Sequence, residues 1–467
     1  MSTINTNINS LVAQRVLRQN NNNLNLSLAR LSTGLRINTG KDDPAGLIAA
    51  KNLEAEQAGI QAALSNATRA GNIIGTAEGG LNEVSALLTQ LQGLVTQTAN
   101  TGGLSQEEIA ANQLQVDSIL ATINRVAGST NFQGIQLLNG NFDYLTSGVV
   151  ASQVSGVRVN AASIPDGASV NVVVNVTQSA QTGVLAYTGG TVGAGGATIQ
   201  VSGLKGTQQL SFASGTTVSQ IATAINAVKA ATGLSAQVSG TAVRINSTDY
   251  GSKAFVAVTV VSGTFTMSGT KDFGRDATVQ VNGTAATANG KEVTLRTAGL
   301  DIEFTLGDAI NTNSGTSSFQ ITGGGATFSL GSKVTENNKA SIGIGSVTTA
   351  SLGKAGVGFL NSLGSGGANA LNSGSLTGAQ DILNAAIKQV SQLRGRLGAF
   401  QKLTVQSTVN NLGVAFENSS AALSAIQDTD FAQETSNLTR NQILSQAATT
   451  VLSQANATPQ SVLALLR

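Results

Sequence analysis

The side chains that could carry out chemistry are scarce in this sequence. It contains no cysteine and no histidine, so the commonest metal ligands, acid and base groups and thiol nucleophiles are missing. Paired carboxylates remain open in principle, and Asp42 and Asp43 form an adjacent pair. Pro44 follows them, and an acidic pair before a proline is typical of a capped helix start. The sequence therefore predicts no enzyme, no cofactor and no metal site.

The overall charge points to a protein that packs against copies of itself. The chain has 467 residues with a formal net charge of +2, and only 11% of them are charged. This gives no electrostatic case for nucleic acid or an anionic membrane. A surface of amides and hydroxyls suits self-association because few charges must be desolvated, although a weakly charged secreted protein would look similar. No window reaches a transmembrane length, and the N-terminus lacks the features of a cleaved signal peptide.

Helical spacing marks both ends of the chain. From Asp430 to Arg467 the apolar residues form a narrow stripe on a polar, nearly uncharged helix, which needs a partner helix to be stable. The N-terminal stretch to about residue 40 has the same character. The predicted N-terminal stripe is Ile4, Ile8, Leu11, Leu24, Leu28, Leu31 and Leu35, and the C-terminal one is Leu438, Leu444, Ala448, Val451 and Ala455.

A second set of helices is predicted inside these ends. One runs from Pro44 to about Thr98, and the next starts at a capping box of Ser105 with Glu108 and ends near Gly128. The stretch from Phe132 to Gly140 reads as a hairpin or tight loop. Helical spacing returns near residue 377 and continues through Ile426.

The middle of the chain changes to valine, threonine, serine and glycine, which is typical of strands between turns. The predicted helix there is Val218–Ala230. The predicted strands are Val170–Val176, Ala197–Val201, Gln208–Phe212, Ala236–Ile245, Ala254–Val261, Ala277–Val281, Glu292–Arg296 and Asp301–Leu306.

The predicted fold class is α+β, a long helical coiled coil or bundle built from both chain ends with a mostly β insertion in the middle. We expect terminal helices over 1–42 and 426–467 as an inner coiled-coil core. We expect a helical bundle with a hairpin over 43–145 and 377–425. A mostly β region over 146–376 completes the chain, in one or two small subdomains.

Several motifs in this order resemble those of bacterial flagellins. At the N-terminal end they are Ile4–Asn7, Arg30–Asn38, Lys41–Gly46, Ala77–Val84 and Ala121–Gly140. At the C-terminal end they are Leu393–Phe400, Asn410–Gly413, Ile426–Phe431, Glu434–Leu438 and Gln442–Arg467. The stretch around Gly206–Val260 is similar, more weakly, to the IN motif of flagellins and hook-associated proteins.

The resemblance implies a structural subunit that self-assembles into the helical flagellar filament used for swimming. In the family the terminal helices form an inner tube, the second helical layer an outer tube, and the middle projects outward. Export without a cleaved signal peptide gives an extracellular location. Implied partners are copies of the chain, a cap protein, hook-associated proteins and an export chaperone at the C-terminal helix. The implied polymerisation core is Ile4, Ile8, Leu11, Leu24, Leu28, Leu31, Leu35, Leu438, Leu444, Val451, Leu463 and Leu466.

Two further regions carry family expectations. The hairpin of Phe132, Gly134 and Gly140 corresponds to one implicated in switching filament supercoil, and its glycines would permit the backbone change. Flagellins sensed by the animal innate receptor usually carry an Arg-x-Arg-Glu run, which here reads Gln90, Leu91, Gln92 and Gly93. The lost charges predict weak receptor activation.

Three alternatives compete with this interpretation. A hook–filament junction protein shares the helical ends, but the complete VLALLR ending favours a flagellin. Some flagellins carry a metalloprotease in the middle, which needs an HExxH motif and is excluded by the absence of histidine. An adhesive outer domain stays open, although the region has few aromatic residues for sugar stacking.

Overall fold

The fold is described from a computed structural model of the chain. It covers residues 6–465 apart from 101, 166–167, 298 and 374–375, and the side chains of 313 and 459–465 are not described. The chain divides into two compact units. The first comprises Met1–Arg69, Ser329–Asn338 and Val405–Arg467, and the second comprises Ala70–Phe328 and Lys339–Thr404.

Helices occupy both ends of the chain, as the sequence predicted. Their bounds are α1 Ile8–Thr33, α2 Pro44–Thr98, α3 Gln106–Ser129, α4 Val218–Ala227, α5 Lys229–Thr232, α6 Asp308–Asn313, α7 Leu376–Ala399, α8 Gln406–Gln427 and α9 Phe431–Leu465. A π-helical segment, Phe400–Val405, lies between α7 and α8. Short 3₁₀ turns occur at Glu336–Asn338, Leu360–Leu363 and Leu371–Ser373.

Local chemistry explains where the first helices start and stop. Gly34 ends α1 in the left-handed region at φ 76°, where a glycine carries no steric penalty, and its amide bonds the Arg30 carbonyl. Asp43 caps α2, because its Oδ1 accepts from the Gly46 amide at 2.9 Å. Ser105 and Glu108 form the predicted capping box of α3.

The strands of the middle region are short and mostly pair with antiparallel neighbours. Their bounds are β1 Asn131–Phe132, β2 Ile135–Gln136, β3 Tyr144–Ser147, β4 Val154–Ala162, β5 Val170–Gln178, β6 Val184–Tyr187, β7 Ala197–Ser202, β8 Thr207–Phe212, β9 Leu234–Ser239, β10 Ala242–Ser247, β11 Phe255–Gly263, β12 Lys271–Phe273, β13 Thr278–Val281, β14 Thr284–Asn289, β15 Glu292–Arg296, β16 Leu300–Leu306, β17 Thr316–Gly324, β18 Ala326–Ser329, β19 Lys339–Ile342, β20 Gly353–Lys354 and β21 Gly358–Phe359.

These strands build two separate cores. An eight-stranded sheet of order β3-β17-β5-β13-β14-β15-β16-β4 buries a cluster that includes Val174, Ile302 and Phe304. A three-stranded sheet, β6-β10-β9, and a four-stranded sheet, β12-β11-β7-β8, share a second cluster with α4, including Ile199 and Ile221. Alternating buried and exposed residues along strands such as β13 place one face of each sheet in a core.

The helices of the second unit each bury one face. The buried residues of α2 include Ile74, Leu81, Leu88 and Val95, and those of α7 are Ala379, Ile382, Leu383, Ala386, Val390, Leu393 and Leu397. The Arg394 Nε of α7 bonds the Glu78 Oε1 of α2 at 2.8 Å. Asn112 of α3 donates to the Thr98 hydroxyl of α2 at 3.2 Å.

Three sequence predictions about these elements are wrong. The strand predicted over Ala236–Ile245 is a hairpin of β9 and β10, because Gly240 turns the chain at φ 61°. The helix predicted to reach Ala230 ends at Ala227, and Val228 separates it from α5. The helix predicted to run unbroken to Ile426 contains the π-helical segment, whose wider hydrogen-bonded turns interrupt the three/four spacing of α7.

Candidate assembly interface

Helices α1 and α9, from opposite ends of the chain, pack side by side along a heptad seam. Most of the buried and half-buried positions recur at alternating steps of three and four on α1 and of four and three on α9, which is coiled-coil spacing. The seam residues of α1 are Ser10, Ala13, Leu17, Asn20, Leu24, Ser27 and Leu31, and those of α9 are Glu434, Leu438, Asn441, Ser445, Ala448, Leu452 and Ala455.

Polar side chains cross between the two helices at both ends and in the middle. The Ser10 hydroxyl donates to the Asn456 Oδ1 at 2.7 Å. The Ser445 hydroxyl donates to the Asn21 Oδ1 at 2.7 Å. At the other end the Arg30 guanidinium lies 3.6 Å from the Glu434 carboxylate. The α9 number falls as the α1 number rises, so the two helices are antiparallel.

The predicted stripes do not coincide with this seam. Leu24, Leu31, Leu438, Ala448 and Ala455 lie on it, as expected for a pairing of the two ends. The assignment of Leu444 and Val451 to the same contact is wrong, since Ser445 and Leu452 take those places one residue further on. The reason is hydrogen bonding, because Ser445 and Asn441 reach polar partners on α1 that leucine and valine could not satisfy.

The same correction applies to α1. Leu28 was predicted to share the stripe with Leu24 and Leu31, but Ser27 occupies the seam and Leu28 is exposed. Ile8 and Leu11 are also exposed, while Ser10 and Ala13 are buried. Leu35 is half-buried beyond the end of α1, where it forms an isolated β-bridge with Asp428.

The paired helices therefore leave large apolar side chains on their outer faces. Among the described side chains of α1 and α9, nine of them are 41–63% exposed, a density that is uncommon outside binding surfaces. They are Ile8, Leu11, Val12, Val16, Leu28, Phe431, Ile443, Leu444 and Val451. We call this set the exposed terminal face.

Three members of the predicted polymerisation core cannot be placed on the α1–α9 seam or on the exposed terminal face. Ile4 and Leu466 lie outside the described residues, and the backbone of Leu463 belongs to α9 while its side chain is not described.

The segment from Phe132 to Gly140 contains the predicted hairpin. Strands β1 and β2 pair Asn131 with Gln136 and Phe132 with Ile135. The two turn residues, Gln133 at φ 51° and Gly134 at φ 82°, both have positive φ, as a two-residue hairpin turn requires. Gly140 has φ 104°. Gly134 and Ile135 are exposed, so the tip is open to another molecule.

The Gln90–Gly93 stretch lies on the long helix α2 with its polar residues turned outward. Leu91 is fully buried, whereas Gln90 and Gly93 are exposed and Gln92 is half-buried. A Cβ at Gly93 would meet nothing within 4 Å. This exposed surface therefore carries no charge at these four positions.

Beside helix α7, a cavity of about 470 Å³ contains six charged side chains, with Arg158, Arg296 and Arg396 balancing Asp143, Asp301 and Glu303. Arg158 donates to the Gly353 carbonyl at 2.9 Å, and the buried Nε of Arg396 has no partner among the described residues. Burial lowers the pKa of both Arg158 and Arg396 and raises the pKa of the Asp143 carboxyl. The balance of signs indicates a set of mutually compensating charges rather than an anion site.

The acidic pair before α2 has structural roles, in which Asp43 caps the helix and Asp42 holds the preceding turn. Asp42 accepts from the amides of Asn38 and Thr39 and from the Thr39 hydroxyl, and these bonds, the Thr39 amide foremost, lower the pKa of its carboxyl. The described part of the chain has no group of three or more acidic side chains that could hold a metal ion. Within the same part, no helix is long and apolar enough to cross a membrane.

Comparison with known proteins identifies the family. Residues 4–143 match the bacterial flagellin N-terminal helical region, 380–466 match its C-terminal helical region, and 198–249 match the flagellin hook IN motif. The chain is 30% identical to polar flagellin F of Vibrio parahaemolyticus over 99% of both proteins. It is also 30% identical to the flagellin of Salmonella choleraesuis over 99% of both. The chain therefore belongs to the bacterial flagellin family, a family of structural proteins.

Solved structures give a weaker likeness. FliC from Burkholderia pseudomallei is 17% identical, with 73% of this chain and 99% of that chain covered and a TM-score of 0.25. The flagellar cap protein FliD from Escherichia coli is 19% identical, with 45% and 64% covered and a TM-score of 0.27. Overall superposition at these scores adds nothing to the family assignment, which rests on the sequence. The predicted resemblance, including the IN motif, is confirmed.

The charged cavity gives a prediction about pH. Because the pKa of Asp143 is raised in the folded chain, its ionisation costs stability as pH rises through that pKa, and the cost is absent below the ordinary value of 3.8. Asp143→Asn should therefore stabilise the chain near neutral pH, with the gain fading towards about pH 4. Denaturant unfolding of the monomer across this range measures the difference.

Asp117 is the matched control, because the pKa of its carboxyl is lowered whereas that of Asp143 is raised. Partial burial opposes the shift, but bonds from Ser365 and Gln113 lower the pKa of its carboxyl. Asp117→Asn should destabilise the chain at neutral pH, and the loss should shrink as pH falls through the lowered pKa. If both variants shift stability in the same direction at neutral pH, the electrostatic description of the cavity is wrong.

Proposed function

We propose that this chain is the structural subunit of a bacterial flagellar filament and that it self-assembles through its terminal helices. The observation that carries the proposal is the exposed terminal face, nine large apolar side chains on two helices already paired through a seam rich in small and polar residues. Neighbouring copies would bury this face, at roughly 25 cal/mol per Å² of apolar surface.

The geometry of such an assembly follows from the kind of contact involved. A filament needs a head-to-tail contact between two different surfaces, and such a contact generates an open helical array when the rotation does not close. Ordering of the helix ends opposes assembly by about 1–2 kcal/mol per residue of backbone. Assembly and ordering of the ends would then be one coupled event.

The division of the chain into layers is part of the proposal. Residues 1–42 and 426–467 would form the inner core, and 43–145 with 377–425 the surrounding helical layer. The β region over 146–376 would lie outermost. Family membership and the helical character of both ends support this arrangement.

The same reasoning extends to location and partners. The filament would be extracellular and serve swimming, and the chain would be exported without a cleaved signal peptide. A cap protein, hook-associated proteins and a chaperone that holds the C-terminal helix would be its partners. A hook–filament junction protein is less well supported, because flagellins of two genera match the chain along 99% of its length. An adhesive outer domain has no specific observation in its favour.

Substitution on the exposed terminal face tests assembly directly. Val451 is 59% exposed in the single chain. Val451→Gln should raise the critical concentration for assembly roughly five- to thirtyfold, because about 1–2 kcal/mol of burial would be lost at each contact. The concentration of unpolymerised chain left after seeding with sheared filaments measures this.

Val261→Gln is the matched control, since Val261 is 54% exposed on strand β11 of the β region. It should leave the critical concentration unchanged. Equal effects of the two variants, or no effect of Val451→Gln, would contradict assembly through the terminal helices.

The hairpin gives a second prediction, on filament shape. Gly134→Ala places a Cβ at φ 82° and should cost about 1 kcal/mol in the present turn. If the hairpin switches supercoil, this variant should change the set of waveforms seen by dark-field microscopy as pH and salt vary. Gly128→Ala, in α3 with open space around its Cβ, should keep the full set. An unchanged set in Gly134→Ala would remove the hairpin from the switching mechanism.

The uncharged stretch on α2 gives a third prediction, on innate recognition. The monomer should activate a receptor reporter cell weakly, because Gln90, Gln92 and Gly93 offer no charged hydrogen bonds. The triple variant Gln90→Arg, Gln92→Arg and Gly93→Glu should raise the response, and the exposed Gln97→Arg should not. A strong response to the unmodified monomer would refute the prediction.

A further inference from the structure

The seam between α1 and α9 is unusually polar for a coiled coil. Of its fourteen positions, six are serine, asparagine or glutamate: Ser10, Asn20, Ser27, Glu434, Asn441 and Ser445. Coiled coils with apolar residues at every seam position pair strongly but can slide by whole heptads, because every layer offers the same contact. A polar layer costs stability and favours the register in which its partner is opposite.

All six of these seam residues have partners on the other helix, including Ser10 with Asn456 and Ser445 with Asn21. Asn20 Nδ2 donates to the Leu444 carbonyl at 3.1 Å, and Asn441 Nδ2 donates to the Ser27 hydroxyl at 3.3 Å. The Glu434 carboxylate pairs with the Arg30 guanidinium, and only 8% of the Glu434 side chain is exposed.

A slip of one heptad would break the side-chain pairings of Asn441 and Glu434. If each α1 residue moved to the α9 position seven residues earlier, Asn20 would face the apolar Leu438 layer and Glu434 would face Ser27. The buried Glu434 carboxylate would then lose its cation, and removing one partner of a buried charged pair is costly. The apolar seam residues of α1 would still meet seam positions of α9 in either register, because a slip of one heptad keeps the same spacing.

We infer that Asn20 and Asn441, with the Arg30–Glu434 pair, fix the register of α1 on α9 and so position the exposed terminal face. The apolar seam residues, leucines and alanines, supply attraction without choosing a register. This inference rests on the proposed function only in its last step. In that step the register fixes the position of Val16 on α1 relative to Leu444 and Val451 on α9, on the surface that a neighbouring copy would contact.

Asn20, Asn441 and Glu434 act as positioning residues, because none of these side chains belongs to the exposed terminal face. Asn20 and Asn441 are half-buried at the seam, and Glu434 is buried there. A purely structural role would predict that leucine at these positions weakens or strengthens the pairing without changing its register. A register role predicts that leucine keeps or strengthens the pairing and makes the register ambiguous.

The absence of cysteine from the sequence makes register directly measurable. In the native register, Ser10 and Asn456 are in side-chain contact, so Ser10→Cys with Asn456→Cys should form a disulfide on mild oxidation. Ser10→Cys with Thr449→Cys, seven residues earlier on α9, should cross-link only after a slip of one heptad. Mass spectrometry of the full-length chain, before and after seeding with sheared filaments of the unmodified protein, quantifies both disulfides.

The test variant combines Asn20→Leu, Asn441→Leu and Glu434→Leu in each reporter background. We expect the native disulfide to exceed the slipped one by roughly tenfold or more in the reference chain and the two to become about equal in the variant. Hydrogen exchange over residues 8–33 should show equal or greater protection in the variant, which separates slipping from unfolding.

The matched control combines Asn22→Leu, Gln446→Leu and Gln433→Leu, because all three residues are exposed and away from the seam. It should keep the native disulfide dominant. The inference is overturned if the test variant also keeps it dominant, if protection over 8–33 is lost, or if the reference chain forms neither disulfide in either fraction. A native register in a chain that does not polymerise would contradict the proposed function and leave this inference standing.

Discussion

The pairing of α1 with α9 is the contact on which the proposed assembly of this chain depends. It joins the two ends of a 467-residue chain, yet most of its seam consists of alanine, serine and asparagine rather than large apolar residues. Small and polar seams bring helices close together but bury little apolar surface. The large apolar side chains that would normally fill a seam lie on the outer faces of the two helices. The pair therefore has an apolar surface that neighbouring helices could cover.

The two β cores and helix α7 are self-sufficient by comparison. The eight-stranded sheet and the pair of smaller sheets each enclose their own apolar cluster. Helix α7 buries seven residues along one face. These parts satisfy their apolar surfaces within one chain, whereas α1 and α9 do not. This contrast explains why assembly is assigned to the terminal helices and not to the β region, even though the β region also has exposed residues.

Helix positions and caps could be predicted from the sequence, because local chemistry decides them. Asp43 before Pro44, the Ser105–Glu108 box and the glycine after Thr33 all act within one turn of the chain. Strand positions were predicted where valines recur, as in β5, or where large apolar residues alternate with polar ones, as in β16. The break at Gly240 was missed because a single glycine inside a valine-rich run is compatible with either a strand or a turn. The π-helical segment at Phe400–Val405 has no local signal in the spacing that precedes it.

The seam itself could be predicted only in part. Spacing identified the right helices but selected Leu444 and Val451 over Ser445 and Leu452, because apolar size was taken as the sign of burial. Which face turns inward depends on hydrogen bonds to residues more than 400 positions away, such as Asn21 with Ser445 and Ser27 with Asn441. No pattern within one segment contains that information. The charged cavity beside α7 was missed for the same reason, since Asp143, Arg158 and Arg396 are brought together only by the fold.

Electron cryo-microscopy of filaments assembled from this chain tests the central claim most directly. We predict that Ile8, Leu11, Ile443, Leu444 and Val451 are buried against neighbouring subunits, while the α1–α9 seam keeps the contacts that it has in the single chain. Filaments in which these five side chains remain exposed, and in which the subunits touch mainly through the β region, would contradict it.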